Sequence, residues 1–340
     1  MSLNSIGIRP DIVICRSEKL ADAIRRKKIA LAAGLPPEAI ISSPDLDNVY
    51  RSPLMLEEQK LSELIFRKLQ LKAKKPDLTD WQKLIDKVKR KKKRVRIALV
   101  AKYYASGDFS LEDSYISVTE AIRHAAWFNG LDPEIVWYDS EKGEKDGFAG
   151  LEKADGIIVP QGWGSRGVEG KIRAVQFSRE RKIPYLGLCF GMQMAVIEFA
   201  RHVCGLENAN STEVNPKTPH PVIHIMPDQK AYLVKKQYGD TIRLGAWPCK
   251  LKKESLIYQA YRGNEIISER HRHRYEFNQK YCKLLENKGM KFSGISPDGR
   301  LVEAIELPKE LHPFFIGTQF HPEYKSKPFS PHPLFVAFLK

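Results

Sequence analysis

Paired cysteines are missing from this 340-residue sequence, whose five cysteines are scattered and form no C-x-x-C pair. A zinc knuckle and a disulfide framework are therefore not indicated. No apolar run approaches the length of a membrane span, and the N-terminus lacks a secretory pattern. The sequence also contains no phosphate loop of the form G-x-x-x-x-G-K-[ST]. We expect a cytoplasmic protein without a membrane partner.

Acidic residues are scarce relative to basic ones, which gives a net charge of +15. Nucleic acid is the first partner to consider for such a chain. Much of the excess lies in residues 83–94, however, where Leu84, Ile85 and Val88 recur at the spacing of a short amphipathic helix with a basic face. We interpret this segment as a solvated linker between domains and predict no nucleic-acid partner.

Beyond the basic segment, strand-like apolar runs alternate with helical patterns. Such alternation predicts a parallel sheet flanked by helices. From about residue 220 to 305 the pattern changes to short strands, which would extend the sheet at one edge. The predicted fold class is α/β, with a mostly parallel doubly wound sheet preceded by a small α/β remnant. Strands are predicted at 95–100, 134–138, 156–159, 184–188, 241–244, 292–296 and 301–306, and helices at about 114–129, 168–181 and 190–203.

Cys189 lies between Gly187 and Gly191, where an apolar run gives way to a helical pattern. This arrangement is typical of a nucleophile elbow, in which the reactive side chain occupies a strained turn between a strand and a helix. The N–H groups and dipole of the following helix favour the thiolate. A lone cysteine in an apolar segment is more often a small buried hydrophobe. The interpretation of Cys189 as a nucleophile therefore depends on a second element.

That second element is a histidine and a carboxylate close to the C-terminus. His321 and Glu323 follow a predicted strand at 315–320 and lie two residues apart. If strand geometry continued, their side chains would point to the same side, and the carboxylate could orient the imidazole. Cys189, His321 and Glu323 then form a nucleophile, a base and an orienting group.

Several segments carry a family resemblance. Residues 187–193 (Gly-Leu-Cys-Phe-Gly-Met-Gln) and 320–323 (Phe-His-Pro-Glu) resemble the class I, triad-type glutamine amidotransferases. Further segments narrow the resemblance to the CTP synthase family, and residues 5–50 are similar to the last part of that family's synthetase domain. The narrowing segments are Arg166–Ile172, Ala195–Arg201, Asn208–Glu213, Arg243–Gly245 and Glu269–Asn278.

The resemblance implies three parts of the chain. Residues 1–62 would be the C-terminal remnant of the synthetase domain that binds ATP and UTP, residues 63–94 a basic interdomain linker or helix, and residues 95–340 a class I glutamine amidotransferase domain. The sequence begins inside the synthetase domain, so we expect a truncated chain that lacks the family's phosphate loop and magnesium-binding carboxylates.

The resemblance also implies a reaction. A Cys-His-Glu triad hydrolyses glutamine, and the ammonia aminates UTP to CTP with ATP and Mg²⁺, under activation by GTP, in a homotetramer of the full-length family. This chain would perform only the glutaminase half and would hold no cofactor or metal of its own. Arg243 is a candidate contact for GTP. A metal at His271 and His273 is not expected, because three arginines surround them.

Further site residues follow from the resemblance. Gln161 departs from the family's Pro-Gly-Gly-Phe-Gly pattern, and a positive φ at that position would cost it about 1 kcal/mol. Two alternatives stay open: another class I amidotransferase or γ-glutamyl hydrolase, and a catalytically impaired regulatory module. The implied residues are the backbone N–H groups of Gly162 and Phe190 for the oxyanion hole, Trp163, Gln193, Glu213, Arg274 and Tyr275 for glutamine, and Arg16, Lys28 and Asp45 for nucleotide.

Overall fold

A computed structural model describes residues 5–90, 92–102, 105–106, 109–110, 112–225 and 242–340. The chain divides into two compact units, Met1–Arg90 and Lys91–Lys340. No helix among the described residues is both long and apolar enough to cross a bilayer.

The first unit is built on two parallel strands, β1 (Val13–Ser17) and β2 (Ile40–Pro44). Helix α1 (Ala23–Ala33) connects them. The helix begins where the Asp22 side chain accepts a hydrogen bond from a first-turn N–H, and it ends at Gly34 in the left-handed conformation. The remaining helices of this unit are α2 (Ser52–Glu58), α3 (Leu61–Lys68) and α4 (Thr79–Lys89).

The core of the first unit is small. Its buried apolar residues include Ile41 and Leu64, and large apolar side chains such as that of Leu31 remain exposed. The amphipathic pattern near residue 85 does form a helix, α4, in which Leu84 and Ile85 are the buried positions.

The second unit contains most of the regular structure. Its helices are α5 (Ile116–Phe128), α6 (Ser140–Asp146), α7 (Val168–Arg181), α8 (Phe190–His202), α9 (Leu256–Ala260), α10 (Cys282–Asn287) and α11 (Pro333–Phe338). Its strands are β3 (Lys93–Ala101), β4 (Ala105–Ser106), β5 (Phe109–Ser110), β6 (Leu131–Asp139), β7 (Gly156–Val159), β8 (Tyr185–Leu188), β9 (Asn210–Ser211), β10 (Pro221–Ile225), β11 (Arg243–Leu251), β12 (Ile266–His273), β13 (Tyr275–Phe277), β14 (Lys291–Ile295), β15 (Val302–Leu307) and β16 (Phe315–Thr318).

Nine of these strands form one sheet in the order β12-β11-β14-β15-β16-β8-β7-β3-β6. The five strands from β16 to β6 are parallel, and the other four extend the sheet in antiparallel fashion. One face packs against α7 and α8, and the other packs against α5 and α11. The predicted α/β class, with a mostly parallel sheet between helices, is therefore confirmed, and so is the edge extension.

Two strand predictions differ from the structure. The strand predicted at 315–320 ends at Thr318, and Pro322–Lys325 form a 3-10 turn. Pro322 explains this, because its fixed φ and missing N–H suit the first position of a helical turn better than a strand. The strand predicted from Thr241 starts outside the described residues, and β11 runs on to Leu251.

The carboxyl ends of β3, β7, β8 and β16 lie side by side. Lys102 follows β3, the turn Pro160–Gly164 follows β7, Cys189 follows β8 and Gln319 follows β16. Ligands of parallel α/β sheets bind outside the carboxyl ends of the strands. The topology thus brings four distant segments to one edge of the sheet.

Candidate active site

Cys189 occupies a strained turn between β8 and α8. Its φ is 52° and its ψ −98°, a conformation that non-glycine residues adopt rarely and mostly at functional sites. The Cys189 N–H donates to the carbonyl of Thr318 at 2.6 Å, and the Cys189 carbonyl accepts from the N–H of Gln193 at 3.2 Å. This backbone is the one expected of a nucleophile elbow, while the nucleophilic role stays a prediction.

Gly187 and Gly191 are required by close packing around this turn. A Cβ on Gly191 would lie 1.9 Å from the carbonyl oxygen of Val159, and one on Gly187 would lie 2.7 Å from the hydroxyl of Tyr185. The first turn of α8 thus rests directly on the backbone of β7. A larger residue would push the helix N-terminus, and Cys189 with it, away from the sheet.

His321 and Glu323 form a buried pair, with 2.7 Å between Nδ1 and Oε1. The two-residue spacing predicted this proximity, but a 3-10 turn produces it and the predicted strand geometry was wrong. Burial lowers the pKa of His321, but the charges of Glu323 and Cys189 outweigh it, so this pKa lies well above its ordinary value. The other ring nitrogen, Nε2, is buried, and an interaction of the ring with the Cys189 side chain also raises this pKa.

Cys189 and His321 line one cavity of about 180 Å³. The Tyr324 ring stacks on the His321 ring, with 5.1 Å between the centroids. The predicted oxyanion donor Gly162 and the predicted glutamine contact Trp163 also line the cavity. A sulfur, an imidazole and a glycine-containing turn therefore face one small space. The other lining residues are Ser114, Tyr115, Gln161, Arg272 and Tyr324.

The turn after β7 does not strain Gln161. This residue is not among the described non-glycine residues with positive φ, so the cost considered for glutamine at this position does not arise. Gly162 lies close to the start of α8, since a Cβ on it would be 3.6 Å from Phe190 Cδ1. The N–H of Phe190 belongs to the first turn of α8, where no helical acceptor exists. The two residues predicted to supply the oxyanion donors thus contact one another through the Phe190 ring.

Sequence reasoning missed Gln319, which contacts the sulfur. Its Nε2 donates to Cys189 Sγ at 3.6 Å, and its Oε1 accepts from Nε2 of Gln193 at 3.2 Å. Gln193 also donates to the carbonyl of Tyr275 at 3.0 Å. The signal was present, because Gln319 lies in the same segment as His321. Only the structure reveals that its side chain points to the sulfur.

The predicted glutamine-binding residues cluster beside the cavity. Of these residues, only Trp163 lines the cavity. Electrostatic interactions connect Glu213, Arg274 and Tyr275 with one another. Burial raises the pKa of Glu213, against the N–H of Gly164, which donates to Oε1 at 2.7 Å, and against nearby cations. Burial also raises the pKa of Tyr275. The carboxylate of Glu213 and the guanidinium of Arg274 thus lie close enough to interact, and they offer opposite charges to the two ends of an α-amino acid.

Two buried lysines behind the turn were also missed. Lys102 and Lys171 are 1% and 0% exposed, and their ammonium groups hydrogen-bond to the carbonyls of the turn. Lys171 lies in a segment that carried the resemblance, and Lys102 is a charged residue directly after an apolar strand. Neither position indicated a buried cation from sequence alone.

The alternating Arg-His segment has two faces. His271 and His273 point inward on β12 and lie 2.8 Å apart through Nδ1 and Nε2, while the intervening arginines point outward. Burial, with Arg243 and His321 nearby, lowers the pKa of both histidines. Among the described residues, no group of three or more His, Cys, Asp or Glu side chains is arranged for a metal.

Arg243 belongs to this buried cluster. Its guanidinium lies 2.6 Å from Glu303 and 3.6 Å from Glu276. Burial raises the pKa of both glutamates, against the opposing effect of Arg243. The guanidinium of Arg243 is thus buried and paired with two carboxylates, and its contact with GTP stays a prediction.

In the first unit, the structure brings together two of the three predicted nucleotide contacts. Arg16 at the end of β1 and Asp45 after β2 form an exposed ion pair of 3.0 Å, whereas Lys28 lies exposed on α1. The pair satisfies both charges, and exposed pairs of this kind contribute little stability. These residues alone do not form a site that would hold ATP or Mg²⁺, so no catalytic step is assigned to them.

Comparisons with known proteins agree with this geometry. The family model for class I glutamine amidotransferases matches residues 110–340, and the model for the CTP synthase N-terminus matches residues 1–71. The CTP synthase of Caldanaerobacter subterraneus subsp. tengcongensis is 50% identical over 99% of this chain and 61% of its own length. That of Geobacillus kaustophilus is 48% identical over 99% of this chain and 62% of its own length. The chain thus spans about three fifths of the curated relatives that it matches.

A solved structure supports the same assignment. The glutaminase domain of CTP synthase from Trypanosoma brucei, with bound acivicin, is 38% identical with a TM-score of 0.65. The match covers 72% of this chain and 92% of the solved one. The chain therefore belongs to the class I glutamine amidotransferases and, among them, to the CTP synthase family.

Proposed function

We propose that this chain hydrolyses glutamine through a thioester on Cys189. One observation carries the proposal: the sulfur on its strained turn and the imidazole paired with Glu323 line the same small cavity. A nucleophile, a base and an orienting carboxylate in reach of one another are what such chemistry requires.

The steps follow from the charges. His321 takes the thiol proton, and the resulting imidazolium is stabilised by the carboxylate of Glu323. The sulfur attacks the side-chain amide carbon of glutamine, and the N–H groups of Gly162 and Phe190 stabilise the oxyanion. The imidazolium protonates the leaving nitrogen, and ammonia departs. Water, deprotonated by His321, then attacks the thioester and releases glutamate.

The neighbouring charges would select the substrate. In this proposal Glu213 would meet the α-amino group and Arg274 the α-carboxylate, with Gln193 and Tyr275 beside them. Trp163, which lines the cavity, would cover the apolar stem of the side chain. Opposite charges in these two roles distinguish an α-amino acid from a simple amide.

The complete reaction is a proposal for the longer protein. There the ammonia would aminate UTP to CTP with ATP and Mg²⁺, with GTP as activator and in the homotetramer that the resemblance implies. In that enzyme ATP would activate UTP for displacement by ammonia. The chain described here would contribute the glutaminase half. A cytoplasmic location fits this role and stays a prediction.

Release of glutamate and ammonia from glutamine by the purified chain tests the glutaminase, with and without GTP. We expect equal amounts of the two products and no release by Cys189→Ser. A γ-glutamyl peptide in place of glutamine separates this proposal from a γ-glutamyl hydrolase. Faster hydrolysis of the peptide would favour the hydrolase, and no Cys189-dependent product from either substrate would favour an impaired regulatory module.

A second measurement tests the division of labour. The chain is incubated with UTP, ATP, Mg²⁺ and ammonium, so that no glutaminase is needed. We expect no CTP, because the sequence contains no phosphate loop of the form G-x-x-x-x-G-K-[ST]. Formation of CTP would show that the first unit retains synthetase activity.

A further inference from the structure

The turn Pro160–Gly164 rests on two buried ammonium groups. Nζ of Lys171 lies 2.7 Å from the carbonyl oxygen of Pro160 and 3.3 Å from that of Gln161. Nζ of Lys102 lies 2.5 Å from the carbonyl of Trp163 and 2.6 Å from that of Gly164. Only the Gly162 carbonyl is not bound by either lysine in this way.

These contacts fix the direction of particular N–H groups. In a trans peptide unit the C=O and N–H bonds point in opposite directions, and the described residues contain no cis peptide. Because Lys171 holds the carbonyl of Gln161, the N–H of Gly162 points away from Lys171.

The Trp163–Gly164 peptide unit, two units further along the turn, has the same geometry with both ends occupied. Lys102 holds the Trp163 carbonyl, and the opposite N–H, that of Gly164, donates to Glu213 at 2.7 Å. The N–H of Gly162, a predicted oxyanion donor, corresponds to the N–H of Gly164. It is the one left to donate to a ligand.

Both cations also pack against Phe190 and Gly162. Nζ of Lys102 lies 4.8 Å and Nζ of Lys171 5.5 Å from the centroid of the Phe190 ring. A Cβ on Gly162 would be 3.3 Å from Cδ of Lys102 and 3.5 Å from Nζ of Lys171. The two lysine side chains therefore lie next to Gly162 and against the ring of Phe190.

Burying two cations next to each other is unfavourable. Burial and mutual repulsion lower the pKa of Lys171 well below its ordinary value, against the attraction of Cys189. A neutral donor such as an amide could satisfy a backbone carbonyl with a smaller desolvation penalty. The hydrogen bonds to four carbonyls of the turn are therefore the contacts that offset the burial of these two side chains.

We propose that Lys171 and Lys102 are positioning residues of the oxyanion hole. Lys171 orients the Gln161–Gly162 peptide so that its N–H faces the reacting amide. Lys102 orients the Trp163–Gly164 peptide and, through Gly164, the substrate-binding carboxylate of Glu213. The inference rests on the proposed glutaminase, and it predicts different kinetic signatures for the two lysines.

The test replaces each lysine by methionine, which keeps the length and apolar stem but removes the ammonium. Lys153→Met, on an exposed lysine of the same unit, is the matched control. For each variant we measure kcat and KM for glutamine, and the affinity for glutamate γ-semialdehyde, whose aldehyde forms a tetrahedral adduct with a thiol. The rate of Cys189 alkylation by iodoacetamide serves as a reference, because displacement at a saturated carbon creates no oxyanion.

We expect Lys171→Met to lower kcat and the aldehyde affinity by about 10- to 100-fold, with KM and the alkylation rate within about twofold of the wild type. Lys102→Met should raise KM as well. It also tests the same turn if Lys171→Met fails to fold. Unchanged kcat and aldehyde affinity in the variants that fold would overturn the inference. An alkylation rate that falls in parallel with kcat would do so too, since the damage would then lie at the nucleophile.

The aldehyde separates this inference from the proposed function. If the wild-type chain releases no glutamate but binds the aldehyde, and Lys171→Met weakens that binding, the glutaminase proposal fails and the positioning role stands. If the wild-type chain does not bind the aldehyde either, the turn is not an oxyanion hole and the inference is wrong.

Discussion

Nδ1 of His321 lies 2.7 Å from Oε1 of Glu323, across the Pro322 turn that follows the central strand β16. Both side chains are buried. Burial lowers the pKa of the imidazole, but Glu323 and Cys189 together raise it by more, which favours the imidazolium beside the Cys189 sulfur. This relationship, together with the elbow, is the basis of the proposed chemistry.

The first prediction concerns this pair. Glu323→Gln keeps the shape but removes the charge that raises the pKa of His321. The imidazolium exists below that pKa, so lowering the pKa moves the alkaline limb of the kcat profile to lower pH. We expect this shift together with a fall in kcat of about 100-fold. The measurement is kcat for glutamine across neutral and alkaline pH, and an unmoved limb would contradict the role of Glu323.

The second prediction concerns the sulfur and the amide of Gln319. Gln319→Met removes the donor that lies 3.6 Å from Cys189 Sγ, while keeping the length of the side chain. Loss of one hydrogen bond to a charged group costs about 1.5 kcal/mol or more, so we expect kcat to fall about tenfold with little change in KM. The kcat of Gln319→Glu should be lower still, because this substitution adds a carboxylate next to the thiolate. Wild-type kinetics in both variants would show that the contact has no functional role.

The third prediction concerns pH and Lys102. Burial lowers the pKa of Lys102 to about 8, and Arg166 adds to this shift, whereas the charges of Glu213, Glu141 and Glu144 oppose it. The ammonium is present below that pH and is lost as the pH rises through it. We therefore expect KM for glutamine to rise above pH 8 in the wild type. In Lys102→Met, KM should be raised already at neutral pH and should not change across that range. If KM of this variant still changed with pH, the titrating group would be one other than Lys102.

The fourth prediction concerns stability. Arg243→Met leaves the buried carboxylates of Glu276 and Glu303 without their shared cation, which costs about 3–5 kcal/mol. Both glutamates have raised pKa values in the folded chain, so their protonated forms favour folding at low pH and this contribution is lost as pH rises.

Unfolding by denaturant at acidic and slightly alkaline pH tests this prediction. The loss of stability should be larger at the higher pH. Arg270→Met, on the exposed face of β12, is the control and should change stability by less than about 0.5 kcal/mol. Equal losses in the two variants would show that the buried cluster is not specially dependent on its arginine.

Local patterns in the sequence predicted the elements that carry the fold. The apolar runs that became β7 and β8 and the helix after Cys189 depend on neighbours in sequence, and their bounds agree closely with the structure. The elbow could be predicted because glycines on both sides of a cysteine are typical of a tight turn with close backbone packing.

Contacts between distant segments could not be predicted in the same way. Lys102 follows β3 and Lys171 lies on α7, and both reach the same turn because the sheet order places the ends of β3 and β7 side by side. The inward orientation of Gln319 depends on Gln193, which lies on α8. Such contacts are set by tertiary packing, and the hydrophobic periodicity of the sequence does not predict them.

The most direct test of the central claim is to trap the covalent intermediate. The chain is mixed with glutamine, quenched rapidly with acid and digested, and its peptides are weighed by mass spectrometry. We predict one glutamyl group on the peptide that contains Cys189, labile to hydroxylamine and absent from Cys189→Ser. Glutamate release without this adduct in either rapid or steady-state quenches, or an adduct on another cysteine such as Cys204, would contradict the account.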